Sequence, residues 1–179
     1  MNIRPYRNIL PVLGARVYVD PAAVVIGQVR IGDDSSIWPG AVVRGDVHSI
    51  EIGARTSIQD GSVLHVTHDG PYTPGGRSLR IGSDVTVGHR VTLHACTIGN
   101  KCLVGMGSVV LDGVVTEDFV LLGAGSVVSQ GKRLETRSLY VGSPARRIRE
   151  LTQAEIDFFT YSAAQYVQLK DEYLTSPPR

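Results

Sequence analysis

Aliphatic residues recur at every sixth position through most of the chain. Val25, Ile31, Ile37 and Val43 begin successive units, as do Ile52, Ile58 and Leu64, and then Ile81, Val87 and Leu93. A further run takes Ile98, Val104 and Val110, weakens at Thr116 and resumes at Leu122. Fifth positions are small or β-branched, among them Ser35, Ala41, Val47, Thr56, Ser62, Thr97, Cys102 and Ser126, and glycine often holds the second, as at Gly32, Gly53, Gly82 and Gly99. Each unit reads as a short strand plus a turn, too small to bury its own apolar face, so successive units must stack into a coil with one continuous core. An antiparallel sandwich would place turn signals every ~8–12 residues, which a strict period of six excludes.

Two interruptions break the period. Val43 and Ile52 are nine residues apart, an insertion of three, and Leu64 and Leu93 are 29 apart, which places an excursion of eleven residues at the Gly- and Pro-rich DGPYTPGGRS. Beyond the repeat the spacing becomes helical: Ile156, Phe159, Ala163, Tyr166, Leu169 or Lys170, and Tyr173 form a stripe through about Leu174, opened by the capping-box pair Thr152 and Glu155. That stripe is expected to pack along the coil of its own or a neighbouring subunit. Three parts result: an N-terminal arm (1–18), the stacked coil (19–145), and a helix and tail (146–179) whose terminal TSPPR is expected to be disordered.

Composition narrows the function. With 42% hydrophobic residues and 18 Lys+Arg against 17 Asp+Glu, the chain has a net charge of +1, which argues against a polyanion partner. The RRIR run at Arg146–Arg149 reads as a solvated turn, so no nucleic acid is expected. No segment approaches the roughly 20 apolar residues that span a bilayer, and MNIRPYRNILPVLG lacks an uninterrupted apolar core. No membrane partner and a cytoplasmic location are therefore expected. Cys96 and Cys102 read as reduced packing thiols.

Candidate chemistry lies in the histidines. His89 and His94 in DVTVGHRVTLH are five residues apart. A strand sends residues at an odd separation to opposite faces, and a helix turns them through roughly 140°, so neither element lets them share one ion locally.

The repeat resembles that of the hexapeptide-repeat proteins, over nearly everything from Val19 to about Lys132. The resemblance implies an all-β fold, a left-handed parallel β-helix of triangular cross-section, here with a C-terminal α-helix. Three units make one coil in that family, about 4.8 Å along the axis. With both insertions removed, Arg44, His65 and His94 then occupy the second position of units on one face, one coil apart each, close enough for the two imidazoles to lean onto one cation. His89, at the third position of the Val87 unit, lies on another face. Proteins of this kind assemble as trimers about an axis parallel to the coil, so His89 and His94 look toward two different subunit interfaces and each site is completed by a neighbour.

Arg44-x-Asp46 in VVRGDV and Gln59-Asp60 in SIQDGSVLH do not follow from the repeat. Together with His65, His89 and His94 they resemble the γ-class carbonic anhydrase family and its bacterial YrdA/PaaY-type members. The resemblance implies that these three histidines bind Zn2+, with Fe2+ or Co2+ as alternatives, at the interfaces of a homotrimer. It further implies that Arg44 and Asp46 pair across the interface, that Gln59 and Asp60 orient bound water, and that Tyr140 in LYVGSPAR lies near the metal pocket and hydrogen-bonds substrate. Three neutral imidazoles leave a divalent ion an open position and can lower the pKa of bound water to about 7, which suits hydration of carbon dioxide to bicarbonate.

Departures from the family pattern are Val47 and His68, which stand where its active members carry proton-transferring glutamates, and Ser57 in place of an asparagine. Valine cannot move a proton, and His68 is expected at an inward-pointing fifth position. His48 is expected on the surface. The expected activity is that of a γ-type carbonic anhydrase. The alternatives are a hydrolase or thioesterase using the same metal centre, a hexapeptide acyltransferase with a single histidine base, and a non-catalytic, metal-stabilised scaffold subunit.

Overall fold

The computed structural model of the chain describes residues 2–175; the expected disorder of the tail therefore falls at 176–179, outside the described residues. The chain winds as a left-handed parallel β-helix of about eight turns, closed by one C-terminal helix. Its strands stack into three faces. The first runs through Val24–Gly27, Val42–Gly45, Val63–His65, Thr92–His94, Val109–Val110 and Val127–Val128. The second runs through Val29–Ile31, Ile50–Ile52, Leu79–Ile81, Thr97–Ile98, Val115–Thr116 and Arg133–Leu134. The third runs from Tyr18–Val19 through Ser57–Ile58, Thr86–Val87 and Leu103–Val104 to Ser138–Gly142. Asn2–Arg4 and Val12–Leu13 extend the first and second faces at the N-terminal end, and Ala145–Glu150 folds back antiparallel at the other.

The sixfold aliphatics fill the interior. Val25, Val43, Leu64, Leu93 and Val110 form one column, and Ile37, Ile58, Val87 and Val104 another, all buried. Both insertions sit at a corner between the first and second faces. Gly27 pairs with Gly45 and Val29 with Ile50, so the three extra residues bulge where the chain turns. The longer loop is pinned by an antiparallel pairing of Thr67 with Arg77 and by Asp69, whose Oδ1 accepts the Gly75 N–H at 2.7 Å.

Three positions differ from the sixfold expectation. Val47 is 43% exposed, because the insertion begins there and takes it off the inward register. Cys96, not Thr97, fills an interior corner, because Leu93 pairs with Val110, a coil one residue short of eighteen, and Ala95 closes it at φ +46°. His68 is exposed; Val66 points inward instead, and the loop carries His68 out. Cys96 and Cys102 are buried free thiols, and burial pushes both up, Cys102 to about 11.

The helix α1 (Gln153–Thr175) starts at the expected capping box: the Thr152 N–H donates to Glu155 Oε2 at 2.8 Å and the Glu155 N–H to Thr152 Oγ1 at 3.3 Å. It packs on its own chain. Ile156 and Phe159 cover Leu103, Leu121 and Leu139 on the third face, while Tyr166 and Tyr173 reach Trp38, so α1 runs back along the axis. Lys170 is fully buried and donates to Asp34 at 2.9 Å as well as to Asp171. None of the described helices is long and apolar enough to cross a membrane.

Phe159 is 1% exposed and anchors this contact. Phe159→Ala is expected to lower stability by about 3–5 kcal/mol, read from urea unfolding at fixed protein concentration. A loss below about 1 kcal/mol would mean that α1 rests on the coil without stabilising it.

Candidate functional site

The structure divides the expected site residues into two groups. Arg44, Asp46, His65 and His94 lie together on the first face; Gln59, Asp60 and His89 lie together at the corner where the third face turns into the first. Tyr140 belongs to neither. It faces the core three rungs beyond Val87, and its hydroxyl accepts the Glu135 N–H at 3.0 Å, a packing position at the end of the coil.

In the first group, strand register sets His65 directly beside His94. Their rings tilt at 52° with centroids 5.1 Å apart, and His65 Nδ1 lies 3.1 Å from His94 Nε2. The other nitrogen of each ring meets a carboxylate: His65 Nε2 is 3.0 Å from Asp46 Oδ1, and His94 Nδ1 is 2.6 Å from Asp112 Oδ1. Burial alone would raise Asp46, but hydrogen bonds from His65 and Arg44 and the Arg44 charge hold it below the ordinary carboxylate range. Asp112 is lowered in the same way against its burial, by hydrogen bonds from Thr67 and His94. Both are thus ionised acceptors at neutral pH, so the ring nitrogens facing them carry the protons.

That assignment leaves two lone pairs facing one another across 3.1 Å. Two acceptors in contact repel unless a cation or proton sits between them. Burial, reinforced by the charges of Arg44 and His94, lowers the His65 pKa despite its bond to Asp46, which disfavours the proton. Two nitrogens bound at about 2.0–2.1 Å to a tetrahedral metal lie about 3.3 Å apart, close to the observed separation, so this pair fits the edge of a metal site.

In the second group, His89 is exposed and its Nδ1 is 2.9 Å from Asp60 Oδ2, which leaves Nε2 free. Gln59 is buried and lines, with His89, a mostly apolar groove of about 440 Å³ that includes Met106, Leu121, Phe158 and Tyr166. Each of the three histidines therefore has a carboxylate on one nitrogen and an open lone pair on the other, the pattern by which outer carboxylates orient metal-binding imidazoles. Among the described residues of the single chain, no three His, Cys, Asp or Glu side chains come together to hold a metal.

Arg44, expected to pair across an interface, pairs with Asp46 of its own chain. Val47 and His68 line a cavity of about 420 Å³ with Asp46, Tyr6, Arg7 and Asp69. His48 is half-buried beneath the loop, its Nδ1 accepting the Ser49 N–H at 2.8 Å. Sequence reasoning missed Asp112, which contacts His94, and Thr67, whose hydroxyl donates to Asp112. The available signal was a carboxylate eighteen residues after His94, immediately following the position one coil on.

The model of the family described as bacterial transferase hexapeptide (six repeats) matches residues 11–45. YrdA of Escherichia coli K12 is 59% identical over 172 residues, 96% of this chain and 94% of that protein. The mitochondrial gamma carbonic anhydrase 2 of Arabidopsis thaliana is 43% identical over 162 residues; the match covers 89% of this chain but 57% of the plant protein. A crystal structure of a hexapeptide transferase family protein from Anaplasma phagocytophilum superposes with a TM-score of 0.88 at 40% identity, covering 96% of this chain and 97% of that one.

Asp112→Asn would remove the carboxylate that fixes the His94 tautomer. Zinc affinity, measured by competition with a chelator, is expected to fall about 10- to 100-fold. Affinity equal to that of the unaltered chain would make Asp112 a packing residue only.

Proposed function

The chain belongs to the gamma carbonic anhydrase-like hexapeptide-repeat family, and we propose that it is a metal-dependent carbonic anhydrase whose sites are shared between the subunits of a homotrimer. The observation that carries this reading is the pair of separate half-sites, each presenting imidazole nitrogens freed by a carboxylate on the other side of the ring. In a closed ring of three chains, each interface sets one face against a different face. His65 and His94 of one subunit then meet His89 of the next.

Three imidazoles suit zinc with an open fourth position, and also accept Fe2+ or Co2+. When bound, the ion supplies acidification of water, from a pKa of 15.7 toward about 7. The remaining work falls to this chain's own groups. Asp46, Asp112 and Asp60 hold the imidazoles in their binding tautomers. Gln59 offers an amide that orients water or bicarbonate without changing charge. Met106 and Leu121 give carbon dioxide an apolar wall beside it. His68 shares a cavity with Asp46, and a histidine can pass a proton to solvent near neutral pH, a role Val47 cannot take.

A second reading has one observation in its favour. The groove beside Gln59 and His89 holds about 440 Å³, more than carbon dioxide fills, which suits a small ester or thioester hydrolysed at the same centre. An acyl transfer needing one histidine base leaves two carboxylate-held imidazoles without a task.

Metal-replete protein is expected to hydrate carbon dioxide above background, and a preparation with full metal content and no hydration would sink the carbonic anhydrase reading. The sharing of sites is tested separately. His89→Ala and His94→Ala homotrimers should each lack metal, while co-refolded mixed trimers should regain about one ion each, because one interface pairs the two intact halves. Mixed trimers that stay metal-free contradict the intersubunit assignment.

Gln59→Ala is expected to slow turnover about tenfold or more with metal content unchanged, since an orienting amide acts on water rather than on the ion. Unaltered rates across pH 6 to 9 would make Gln59 a structural residue.

A further inference from the structure

The loop after Val66 is closed at its base. The Thr67 N–H donates to the Arg77 carbonyl at 3.1 Å and the Arg77 N–H to the Thr67 carbonyl at 2.9 Å. Beside that base, at the corner between the first and second faces, lies a cavity of about 300 Å³ that neither half-site uses. His48, Arg77, Ser78 and Thr97 supply its polar lining, next to Cys96 and Gly113, and no carboxylate among the described residues lines it.

Its donors have no acceptor among the described residues. His48 Nδ1 accepts the Ser49 N–H at 2.8 Å, so the ring hydrogen is on Nε2, and that N–H is unpartnered. The Arg77 guanidinium makes neither an ion pair nor a hydrogen bond there, and the Ser78 and Thr97 hydroxyls donate to nothing. Neighbouring acids are engaged elsewhere. Asp112, next to Gly113 in sequence, takes Thr67 and His94; Glu51, opposite Arg80 in register, pairs with Arg80 at 3.7 Å. Two glycines seat the two nitrogen-bearing side chains. A Cβ on Gly113, at φ +68°, would lie 2.5 Å from Arg77 Nη1, and one on Gly76, at φ +67°, would lie 3.0 Å from His48 Cδ2. The backbone thus leaves the guanidinium and the imidazole room that a side chain would take.

We propose that His48, Arg77, Ser78 and Thr97 form a second ligand site, for a small oxyanion, and that its occupant is bicarbonate. A guanidinium offers two parallel N–H groups to the edge of a planar oxyanion, and the imidazole N–H and the hydroxyls suit its remaining oxygen. An imidazole that accepts at Nδ1 is uncharged, so Arg77 supplies the one full positive charge, which matches a monoanion rather than dianionic phosphate. The donors require an acceptor whatever the chain catalyses; the name bicarbonate rests on the carbonic anhydrase reading, whose product it is. The location suits that product. Thr67, bonded to Arg77 at the loop base, also donates to Asp112, which meets His94, so these two residues alone separate the histidine pair from Arg77.

The test follows the ring Cε1–H resonances of zinc-loaded protein by nuclear magnetic resonance while bicarbonate replaces chloride at fixed pH and ionic strength. The chain has five histidines, and His48→Gln identifies the resonance of His48 by its loss. That resonance is expected to move saturably with bicarbonate in the millimolar range. Arg77→Gln should weaken the response about tenfold or more, because a charge-assisted pair is lost. Arg137→Gln, which removes an exposed arginine near the end of the coil, should leave it unchanged. A His48 resonance that does not move, or that moves equally in Arg77→Gln, overturns the site. Inorganic phosphate acting at lower concentration than bicarbonate overturns the choice of occupant. Saturable bicarbonate binding by protein that hydrates no carbon dioxide overturns only the carbonic anhydrase reading. Hydration by protein whose His48 stays unmoved overturns only the second site.

Discussion

Register between successive coils is the constraint on which the rest of the molecule depends. No coil can bury its aliphatic column alone; Leu64 is dry only because Val43 and Leu93 lie above and below it in the same position. A one-residue slip within a strand would turn the whole column outward, so length changes are tolerated only at corners. Both insertions and the one-residue deletion obey this, and the strands on either side of them keep their pairing. The same register makes His65 and His94, 29 residues apart, nearest neighbours. The histidine pair proposed as a metal edge thus comes from a rule whose first task is packing.

This explains what could be read from the sequence and what could not. Period six is a property of single residues, and so the coil, its corners and the stacking of His65 on His94 were legible once the two insertions were subtracted. The capping box of α1 was legible for the same local reason. Side-chain direction at irregular corners was not. Val47 and His68 left the inward register because each begins or enters a loop whose path no periodicity describes, and Thr97 gave way to Cys96 because the missing residue could not be placed by counting aliphatics alone. Asp112 escaped notice because its role exists only through a neighbour one coil away.

The electrostatics of the site follow from the same geometry. Asp46 and Asp112 stand at the corner ends of the first face and keep their charge against burial through the donors around them, Arg44 and His65 for one, Thr67 and His94 for the other. Each therefore forces a proton onto the nearer ring nitrogen. The lone pairs are left pointing at one another rather than at water, an arrangement that a cation relieves and a second proton relieves less well, because His65 is held low by its burial and by Arg44. At the opposite corner, Asp60 meets His89 Nδ1 at 2.9 Å in a more exposed setting.

Because one chain holds two halves and no whole, metal binding and subunit association are linked in the proposed assembly. An ion that binds only where two subunits meet stabilises the ring by mass action, and by reciprocity a tighter interface raises affinity for the ion by the same factor. The surfaces available for that interface are limited. Charge keeps the second face in water, and α1 is fastened over the third by Phe159 and by a buried Lys170 whose charge is met by Asp34 and Asp171. The first face, with its valines and its two histidines, is the one left to bind. The helix that closes the third face also brings Phe158 to the corner beside His89. The element that completes the monomer thus prepares the surface on which a site between monomers can form.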